Sequence, residues 1–398
     1  MINNRESIER LYRDLSSDTS QMLDRAIESI ITAKKTGGKV VVVTGSGPNL
    51  HEGVTTLIAE LIHKGVIDGV TTSSAVIAHE MAGVLEEVKR VDGLQLELPE
   101  DLLPRGNVFE ATLMPAECLQ ELKKEMLIES ALLEKILSLD GSVIIKAAGN
   151  MAYPLGLRTE NLAKEILIIA KSKGVPFEQV AGAGADPHTM LGAAYAKGIP
   201  ILVTIPQLVG GGMVGLAIGD SISITERATK VARMIDSADV IIESGVALTQ
   251  EIHDGPFETH TGHGLWSGWE GFATYSLKDK TLIRIDLDPS LKKAWEFEKQ
   301  SSQVQAAIDE GLPKTKLMSI PFRMEMSGFA RLEKSIPIIA DLGVVWPIIA
   351  IRLERELGIS LDFISYPQQS PEGRAMRKWI VENVQPIVRK RLFQETLS

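Results

Sequence analysis

Short runs of β-branched and other apolar residues alternate with longer segments of helical period along most of the chain. The first run, residues 40–43, consists of four valines. A run that is apolar at every position is typical of a strand buried on both faces of a sheet. A helical segment over 54–62 and a second run over 66–72 follow. A strand, a helix and a strand in this order form a right-handed parallel crossover.

The same alternation continues through the rest of the chain. Further strands are predicted at 143–146, 199–205, 239–244, 281–286 and 336–340. Helices are predicted at 159–173, 188–197, 225–237 and 344–357. Because strands that alternate with helices pack as a sheet with helices on both faces, the sequence predicts an α/β fold with a doubly wound, mostly parallel, Rossmann-like sheet.

Changes in composition along the chain predict its domain organisation. Residues 1–38 are charged and amphipathic, and we expect them to form an N-terminal helical extension. The Rossmann-like domain is predicted over 39–360, with an inserted segment at about 288–335 where the sequence is more charged and broken. Residues 361–398 are predicted to form a C-terminal helical tail.

Charge and cysteine content exclude several classes of function. The chain has 52 acidic and 42 basic residues, for a net charge of −10. A basic surface for a phosphate backbone is therefore not expected, and we predict no nucleic-acid partner. The one cysteine, Cys118, forms no internal disulfide and leaves no thiolate zinc cluster.

No segment predicts membrane association. The N-terminal residues lack the apolar core of a signal peptide. Residues 336–353 are apolar, but Asp341 and Arg352 lie inside the stretch, and charges at such positions make spanning costly. We therefore expect a cytoplasmic protein without a membrane partner.

Candidate cofactor contacts follow the predicted strands, because ligands of open α/β sheets bind beyond the carboxyl ends of strands. The first strand is followed by a glycine-rich turn that includes Gly45, Ser46, Gly47 and Asn49. Glycines let backbone amides approach a ligand, and the next helix points its positive end at the turn. The spacing is not G-x-G-x-x-G, so a simple tight turn is the alternative.

Hydroxyl groups follow the second strand. Thr72, Ser73 and Ser74 can donate hydrogen bonds to the phosphates or ribose of a nucleotide, or they can cap the next helix. His79 and Glu80 lie in that helix and are candidates for acid–base chemistry. A histidine buried in the core is the alternative for His79.

A triple glycine, Gly210, Gly211 and Gly212, follows the run at 199–205. Three consecutive glycines are costly in backbone entropy, so a close approach to the backbone is expected there. We predict cofactor contact in a phosphate-binding loop, with a mobile lid as the alternative.

Titratable and aromatic side chains are concentrated in residues 248–271. This segment holds His253, His260 and His263, the acidic residue Asp254 and two of the five tryptophans. Such density in a glycine-rich loop on the ligand side of the sheet predicts a catalytic or substrate-binding role. A metal site formed by His260 and His263 with His253 or Asp254 is the alternative, although our prediction includes no metal.

At these turns the chain resembles the deoxyhypusine-synthase-like NAD-binding superfamily over about residues 40–357. The Ser-Asn-Leu turn of deoxyhypusine synthases is similar to residues 48–50, and their Thr-Thr-Ala-Gly-Gly turn is similar to 71–75. Their Thr-Ala-Gln-Glu-Phe-Asp-Gly segment resembles residues 248–255, and their Ala-Asp…Val-Phe-Pro element resembles residues 340–347. The resemblance implies that NAD is bound by these turns. The residues it adds to the predicted NAD contacts are Gln250 and Asp341.

A second branch, that of NAD-dependent ornithine cyclodeaminases, is also similar. This domain is also known as a lysine-ketoglutarate reductase/saccharopine dehydrogenase conserved domain. Its Asn-Ala-Leu-Ala-Val-His-Asp segment resembles residues 74–80, so that His79 and Glu80 match its His–acid pair. Its Val-Asp-Ile-Asn-Pro and Thr-Asp-Val-Gly-Leu-Phe elements resemble 285–289 and 340–345.

The chain also departs from both families. Deoxyhypusine synthases use a lysine after a Trp-Gly pair to form an imine, whereas residues 266–271 contain no lysine. Covalent aminobutyl transfer is therefore not expected. The acidic Asp-Asp-Gly segment of the cyclodeaminase branch is replaced by the triple glycine. The resemblance to these two families therefore does not identify the substrate of this chain.

These observations predict an NAD-dependent enzyme that acts on a small amine or amino acid. The reaction would be transient oxidation to an imine, leading to deamination, cyclisation or transfer. Alternatives are a metal-dependent hydrolase or lyase using residues 253–263, and a non-catalytic nucleotide-binding protein. Apolar faces on the helix at 344–357 and around Ile8, Leu11 and Leu15 predict a homodimer or homotetramer.

Overall fold

The computed structural model of the chain describes residues 4–45, 47–149, 151–245, 275, 277–300, 302, 306, 309–311 and 333–394. Within these residues, nine strands form two sheets. The main sheet contains β1 (Val40–Thr44), β2 (Gly69–Thr72), β6 (Ile201–Val203), β7 (Val240–Ser244), β8 (Thr281–Asp286) and β9 (Ser335–Ile339). All its neighbouring strands are parallel. The predicted α/β fold with a mostly parallel sheet is confirmed.

The order of strands across the main sheet is β6-β2-β1-β7-β8-β9. Counted by their sequence within this sheet, the strands run 3-2-1-4-5-6, which is the order of dinucleotide-binding folds. Successive strands are added on one side of β1 up to β6 and on its other side from β7 onwards, so the order of strands reverses between β1 and β7. These two strands pair in parallel from Val40↔Val240 to Thr44↔Ser244. The carboxyl ends of these two strands therefore flank the crevice in which such folds bind ligands.

A second, antiparallel sheet is inserted between β2 and β6. Its strands are β3 (Leu85–Asp92), β4 (Val108–Thr112) and β5 (Ser142–Ala147), in the order β4-β3-β5. The strand predicted at 143–146 is therefore present as β5, but the expectation that it belongs to the parallel sheet is wrong. Its apolar run does not specify a partner, and Val143 is 49% exposed. The charged strand β3 shows no apolar run and was not predicted.

Helices cover both faces of the main sheet. The helices of the first half are α1 (Arg5–Arg13), α2 (Ser17–Lys35), α3 (Pro48–His51), α4 (Val54–His63), α5 (Ser74–Met81), α6 (Ala116–Glu125), α7 (Ser130–Ser138) and α8 (Leu155–Lys173). Those of the second half are α9 (Phe177–Gly184), α10 (Met190–Lys197), α11 (Met213–Ser221), α12 (Ile224–Asp236), α13 (Ser290–Gln300), α14 (Leu342–Leu357), α15 (Pro371–Asn383) and α16 (Arg389–Gln394). None of these helices is long and apolar enough to cross a membrane.

The valine run of β1 explains how the sheet is buried. Val40 and Val42 pack into one hydrophobic cluster, whereas Val41 and Val43 pack into another on the opposite face. Successive side chains of a strand point to opposite faces. A strand with valine at every position therefore belongs at the centre of a sheet that is covered on both sides.

The apolar faces that predicted self-association are buried within the chain. Helices α1 and α2 pack on α14, and Trp346, Ile348 and Ile349 of α14 are fully buried. Ile8 of α1 is also fully buried. These faces are therefore largely covered by other parts of the chain, with Leu11 and Leu15 partly buried, and the predicted homodimer or homotetramer stays a prediction.

The edge of the main sheet at β6 is closed by a buried ion pair. The backbone nitrogen of Val203 donates to Glu178 Oε1 at 2.8 Å, and Arg227 Nη1 donates to the Val203 carbonyl at 3.3 Å. Glu178 and Arg227 lie 2.5 Å apart and are both fully buried. The two side chains thus satisfy backbone groups that another strand would otherwise pair with.

Candidate functional site

The crevice begins at the turn after β1. Gly47 has a φ of +62°, and a Cβ at this position would meet no atom of the described residues within 4 Å. The backbone is therefore approachable from this side, and a side chain would be strained and would occupy the space. Gly45 lies at the start of the turn, whereas Ser46 lies outside the described residues.

Asn49 joins the two strands that flank the crevice. Ser244 Oγ donates to Asn49 Oδ1 at 2.6 Å, and Asn49 Nδ2 donates to the Ser244 carbonyl at 3.1 Å. Trp346 Nε1 in turn donates to Ser244 Oγ at 2.8 Å. Asn49 therefore fixes the turn to the end of β7, and its predicted contact with a cofactor stays a prediction.

Buried hydroxyl groups lie at the carboxyl ends of neighbouring strands. Thr44 ends β1, Thr72 ends β2, and Thr204 directly follows β6. Their Oγ1 atoms are buried and make no hydrogen bond to any described residue. Because a buried hydroxyl normally has a partner, these three groups are available to a polar ligand or to water.

Ser73 and Ser74 hold α5 in place. Ser73 Oγ accepts a hydrogen bond from the backbone nitrogen of Val76 at 3.2 Å, which confirms that it caps the helix. Ser74 Oγ donates to the Gln207 carbonyl at 2.7 Å and accepts from the Gly211 nitrogen at 2.9 Å. Their predicted contacts with a nucleotide are not tested by this geometry.

The triple glycine packs closely against the start of α5. A Cβ on Gly211 would lie 2.6 Å from the Ser74 carbonyl oxygen, so only glycine fits there. Gly212 has a φ of +59°, whereas Gly210 has more space around it. Close packing is therefore one reason for these glycines, and their predicted contact with a cofactor stays a prediction.

Glu80 is fully buried and supports α10. Its two carboxylate oxygens accept hydrogen bonds from the backbone nitrogens of Met190 at 2.9 Å and Leu191 at 3.0 Å. Burial raises the pKa of Glu80 to about 8, and these two hydrogen bonds act in the opposite direction. Its position is that of a structural carboxylate, and the predicted acid–base role stays a prediction.

One ring nitrogen of His79 contacts a backbone carbonyl, and the other has no hydrogen-bond partner in the part of the chain that the structure describes. Its Nδ1 contacts the carbonyl oxygen of Ala148. Because a carbonyl only accepts, we assign the hydrogen to Nδ1 and the lone pair to Nε2. Nε2 makes no hydrogen bond to the described residues. Burial lowers the pKa of His79, the hydrogen bond to Ala148 raises it by less, and the nearby Lys146 lowers it again.

His51, Lys146 and Arg377 complete a basic cluster around His79. Arg377 Nη2 lies 3.3 Å from His51 Nδ1 and also donates to the Ile145 carbonyl. Burial lowers the pKa of His51, and Arg377, His79 and Lys146 lower it further. We did not predict these residues, because they come from α3, β5 and α15 and share no sequence motif.

Arg377 is influenced by one described carboxylate, that of Glu52, which raises the pKa of the Arg377 guanidinium against the larger effect of burial. It is partly buried, burial lowers the pKa of its guanidinium, and its Nε makes no hydrogen bond to the described residues. No described carboxylate forms an ion pair with it. A guanidinium in this state is suited to bind a carboxylate brought by a ligand.

The loop that holds His79 is supported from the second sheet. Glu86 Oε1 accepts from the Gly149 nitrogen at 3.0 Å, and Glu86 Oε2 accepts from Thr112 Oγ1 at 2.6 Å. Burial raises the pKa of Glu86. Gly149 directly follows Ala148, so the position of His79 depends on this buried carboxylate.

Asp341 caps α14. Its Oδ1 accepts from the Gly343 nitrogen at 2.7 Å, which explains why the helix begins at Leu342 rather than at the predicted 344. Glu52 is buried nearby and accepts from the Gln368 backbone and side chain at 2.7 and 2.8 Å. Burial raises the pKa of Glu52, as does Asp341. The predicted cofactor contact of Asp341 stays a prediction.

Several predicted residues lie outside the described part of the chain. They are Ser46, Gln250, His253, Asp254, His260 and His263. Among the residues that the structure describes, no group of three or more His, Cys, Asp or Glu side chains could hold a metal ion. The metal-binding alternative rests on the loop at 253–263 and is not tested by the described residues.

No protein-family model and no curated protein matches the sequence. Solved structures do match. A deoxyhypusine-synthase-like protein from Entamoeba histolytica is 10% identical, with a TM-score of 0.42 over 88% of this chain and 93% of that chain. AgrE in complex with ornithine and NAD+ is 11% identical, with a TM-score of 0.39 over 86% of this chain and 34% of that chain.

A LOR/SDH-type protein from Methanococcus maripaludis S2 is 13% identical, with a TM-score of 0.36 over 85% of this chain and 70% of that chain. These structures represent the families that the sequence motifs resemble. Both kinds of protein that the sequence motifs resemble are thus among the matches, at 10–13% identity and TM-scores of 0.36–0.42. The chain spans about a third of the length of AgrE.

Proposed function

We propose that the chain is an NAD-dependent enzyme that oxidises a small amino acid transiently to its imine. The observation that carries this proposal is the placement of an open glycine turn at the reversal of strand order. In folds with this order the dinucleotide lies in that crevice. The basic cluster around His79 lies on α3, α5 and β5, next to the same turn.

The residues at the crevice fit a dinucleotide. Gly47 leaves the backbone of the turn open on one side, and the hydroxyls of Thr44, Thr72 and Thr204 have no partner among the described residues. These groups would hold the phosphates and riboses of NAD through hydrogen bonds. When bound, NAD supplies a hydride acceptor for the carbon that bears the amine.

His79 is suited to act as the base. The hydrogen bond to Ala148 leaves the lone pair on Nε2, and the lowered pKa keeps the ring neutral near pH 7. His79 would take one proton from the substrate ammonium group, so that the amine lone pair assists departure of the hydride from the neighbouring carbon. After this proton transfer His79 would be protonated and the substrate amine would be neutral.

Arg377 favours an amino acid over a simple amine. Its guanidinium has no ion-pair partner among the described residues and contacts His51 at 3.3 Å. A substrate carboxylate on Arg377 would fix the amine-bearing carbon relative to His79. The proposal therefore predicts that amino acids bind more tightly than the amines obtained from them by decarboxylation.

Calorimetry with NAD, followed by titration of the NAD complex with paired substrates, tests this function. We expect NAD to bind, and we expect amino acids such as ornithine and lysine to bind more tightly than putrescine and cadaverine. In Arg377→Met this preference should disappear while NAD affinity is retained. Ammonia release and ¹H NMR of the substrate would then report turnover, which His79→Gln should lose.

Two results would contradict the proposal. Absence of NAD binding to the folded wild-type chain would rule out the cofactor. Equal affinity for amino acids and their decarboxylated amines, with NAD bound, would rule out the role of Arg377. Because NAD binding and substrate preference are measured separately, the two parts of the proposal fail independently.

A further inference from the structure

A second cavity lies apart from the crevice. It has a volume of about 690 Å³, is open to solvent on one side, and is lined by the second sheet, α6, the start of α8 and residues 381–390. We call it the α6 cavity. None of the residues at the turn after β1 lines it. Volumes of this size are typical of pockets for small organic ligands.

The lining of the α6 cavity is mainly apolar. Its apolar side chains include Leu85, Leu113, Met114, Leu122, Leu155 and Ile387. Leu122, Leu155 and Ile387 are at most 5% exposed, so their surfaces are held in place by the surrounding structure. Such a lining takes the hydrocarbon part of a ligand.

Arg158 is the buried cation in the wall of this cavity. It is 8% exposed, and its Nε and Nη2 donate to the two carboxylate oxygens of Glu125 at 2.6 and 3.2 Å. Nη2 also donates to the Ile387 carbonyl at 2.7 Å. Nη1 is buried and has no hydrogen-bond partner among the described residues. A buried donor without a partner is costly, and a ligand acceptor would relieve that cost.

The charges around the rim are mixed. Arg389 and Lys390 line the cavity on the side of α16, whereas Glu117 and Glu121 line it from the exposed face of α6. Glu121 pairs with Lys124, and Arg389 pairs with Glu165. Glu86, Glu87 and Glu125 also line the cavity, so its lining holds five carboxylates and three cations. The net charge of the lining therefore does not favour an anion, and only the unpaired Nη1 donor of Arg158 favours holding a carboxylate inside.

We infer that the α6 cavity is a second ligand site, which binds a short apolar carboxylate. The hydrocarbon chain packs on the leucine and isoleucine side chains, and the carboxylate accepts hydrogen bonds from Arg158 Nη1. Glu86 lines the same cavity and supports the loop that holds His79. A ligand in this cavity thus contacts the residue on which the position of His79 depends.

Titration calorimetry of the full chain with octanoate tests the inference. We expect saturable binding of octanoate, and affinity at least about tenfold weaker for octanol and octylamine, since one hydrogen bond between charged groups is lost. Arg158→Lys keeps a charge beside Glu125 but cannot reach both partners, so octanoate affinity should fall about tenfold or more. Circular dichroism checks that the variant is folded.

Chemical labelling of the single cysteine tests the position of the ligand without changing Arg158. Cys118 is exposed and lies at the edge of the α6 cavity. A bulky maleimide on Cys118 should block octanoate, whereas the same reagent on Cys118→Ser should leave binding unchanged. The inference is overturned if octanoate does not bind, if octylamine binds as tightly, or if the labelled protein and folded Arg158→Lys both bind octanoate like wild type.

Discussion

Asn49 and Ser244 exchange two hydrogen bonds across the point at which the order of strands reverses. Ser244 Oγ donates to Asn49 Oδ1 at 2.6 Å, and Asn49 Nδ2 donates to the Ser244 carbonyl at 3.1 Å. The two residues are 195 positions apart in the chain, and both are buried. This contact holds the glycine turn against the end of β7, and it gives Asn49 a role in stability that is separate from ligand binding.

Asn49→Ala should therefore destabilise the fold. The substitution leaves the Ser244 hydroxyl without its acceptor and the Ser244 carbonyl without a donor, which we expect to lower the free energy of unfolding by about 1–3 kcal/mol. Urea unfolding measures this change. Asn161→Ala on the exposed face of α8 is the matched control and should have little effect. Equal stability of Asn49→Ala and wild type would show that the contact is not made in solution.

Thr72→Val should separate ligand binding from stability. The Thr72 hydroxyl is buried without a partner among the described residues, so a methyl group of similar size should leave the free energy of unfolding unchanged or higher. If Thr72 contacts NAD, the affinity measured by calorimetry should fall about tenfold or more. Thr55→Val, at another buried hydroxyl in α4, should leave NAD affinity unaltered. Wild-type affinity in Thr72→Val would remove this contact from the site.

Arg227→Met should be among the more destabilising substitutions in the chain. It leaves Glu178 buried without its cation and removes the donor to the Val203 carbonyl, and we expect a loss of about 3–5 kcal/mol. The exposed pair Lys171 and Asp220, at 2.5 Å, provides the control. Lys171→Met should change stability by less than about 1 kcal/mol. Similar urea midpoints for the two variants would contradict the role of the buried pair at the sheet edge.

Thermal stability should depend on Glu80 and on pH. Burial raises the pKa of Glu80 to about 8 in the folded chain, above its usual value near 4.5. The folded state then binds more protons than the unfolded state between these values, so the contribution of Glu80 to stability falls as pH rises through this window. The melting temperature of wild type relative to Glu80→Gln should therefore decrease from pH 5 to pH 9.

The exposed Glu117 on α6 provides the comparison for this pH series. The difference in melting temperature between wild type and Glu117→Gln should change little over the same range. A difference between wild type and Glu80→Gln that is constant with pH, or that grows as pH rises, would contradict the raised pKa.

The architecture of the main sheet was predictable because it depends on local patterns. Valine at every position of 40–43 is compatible with a strand that has a hydrophobic layer on each face, and Val40 and Val41 indeed pack into different clusters. Alternation with helices then makes the sheet parallel and places the turn at Gly45 and Gly47 on the ligand-binding edge. The spacing of apolar residues and the glycine content of the turn are sufficient for these conclusions.

The roles of individual polar residues were not determined in the same way. Ser73, Ser74 and Glu80 are all donors or acceptors that suit a ligand, yet in the fold they cap α5, bind the Gly211 turn and support α10. A polar side chain binds whichever buried backbone group lies within reach. That group is supplied by segments distant in sequence, so no local pattern identifies it.

The amino-acid sequence by itself determined the parallel sheet, its ligand-binding edge and the glycine turn, because apolar periodicity and glycine content act over a few residues. Only the tertiary structure brought His51, Lys146 and Arg377 around His79, and only it joined Asn49 to Ser244. The cluster around His79 depends on the insertion of the antiparallel sheet and on the packing of α15, whereas the Asn49–Ser244 contact depends on the pairing of β1 with β7. Their geometry arises from segments up to 326 residues apart, over which sequence periodicity carries no information.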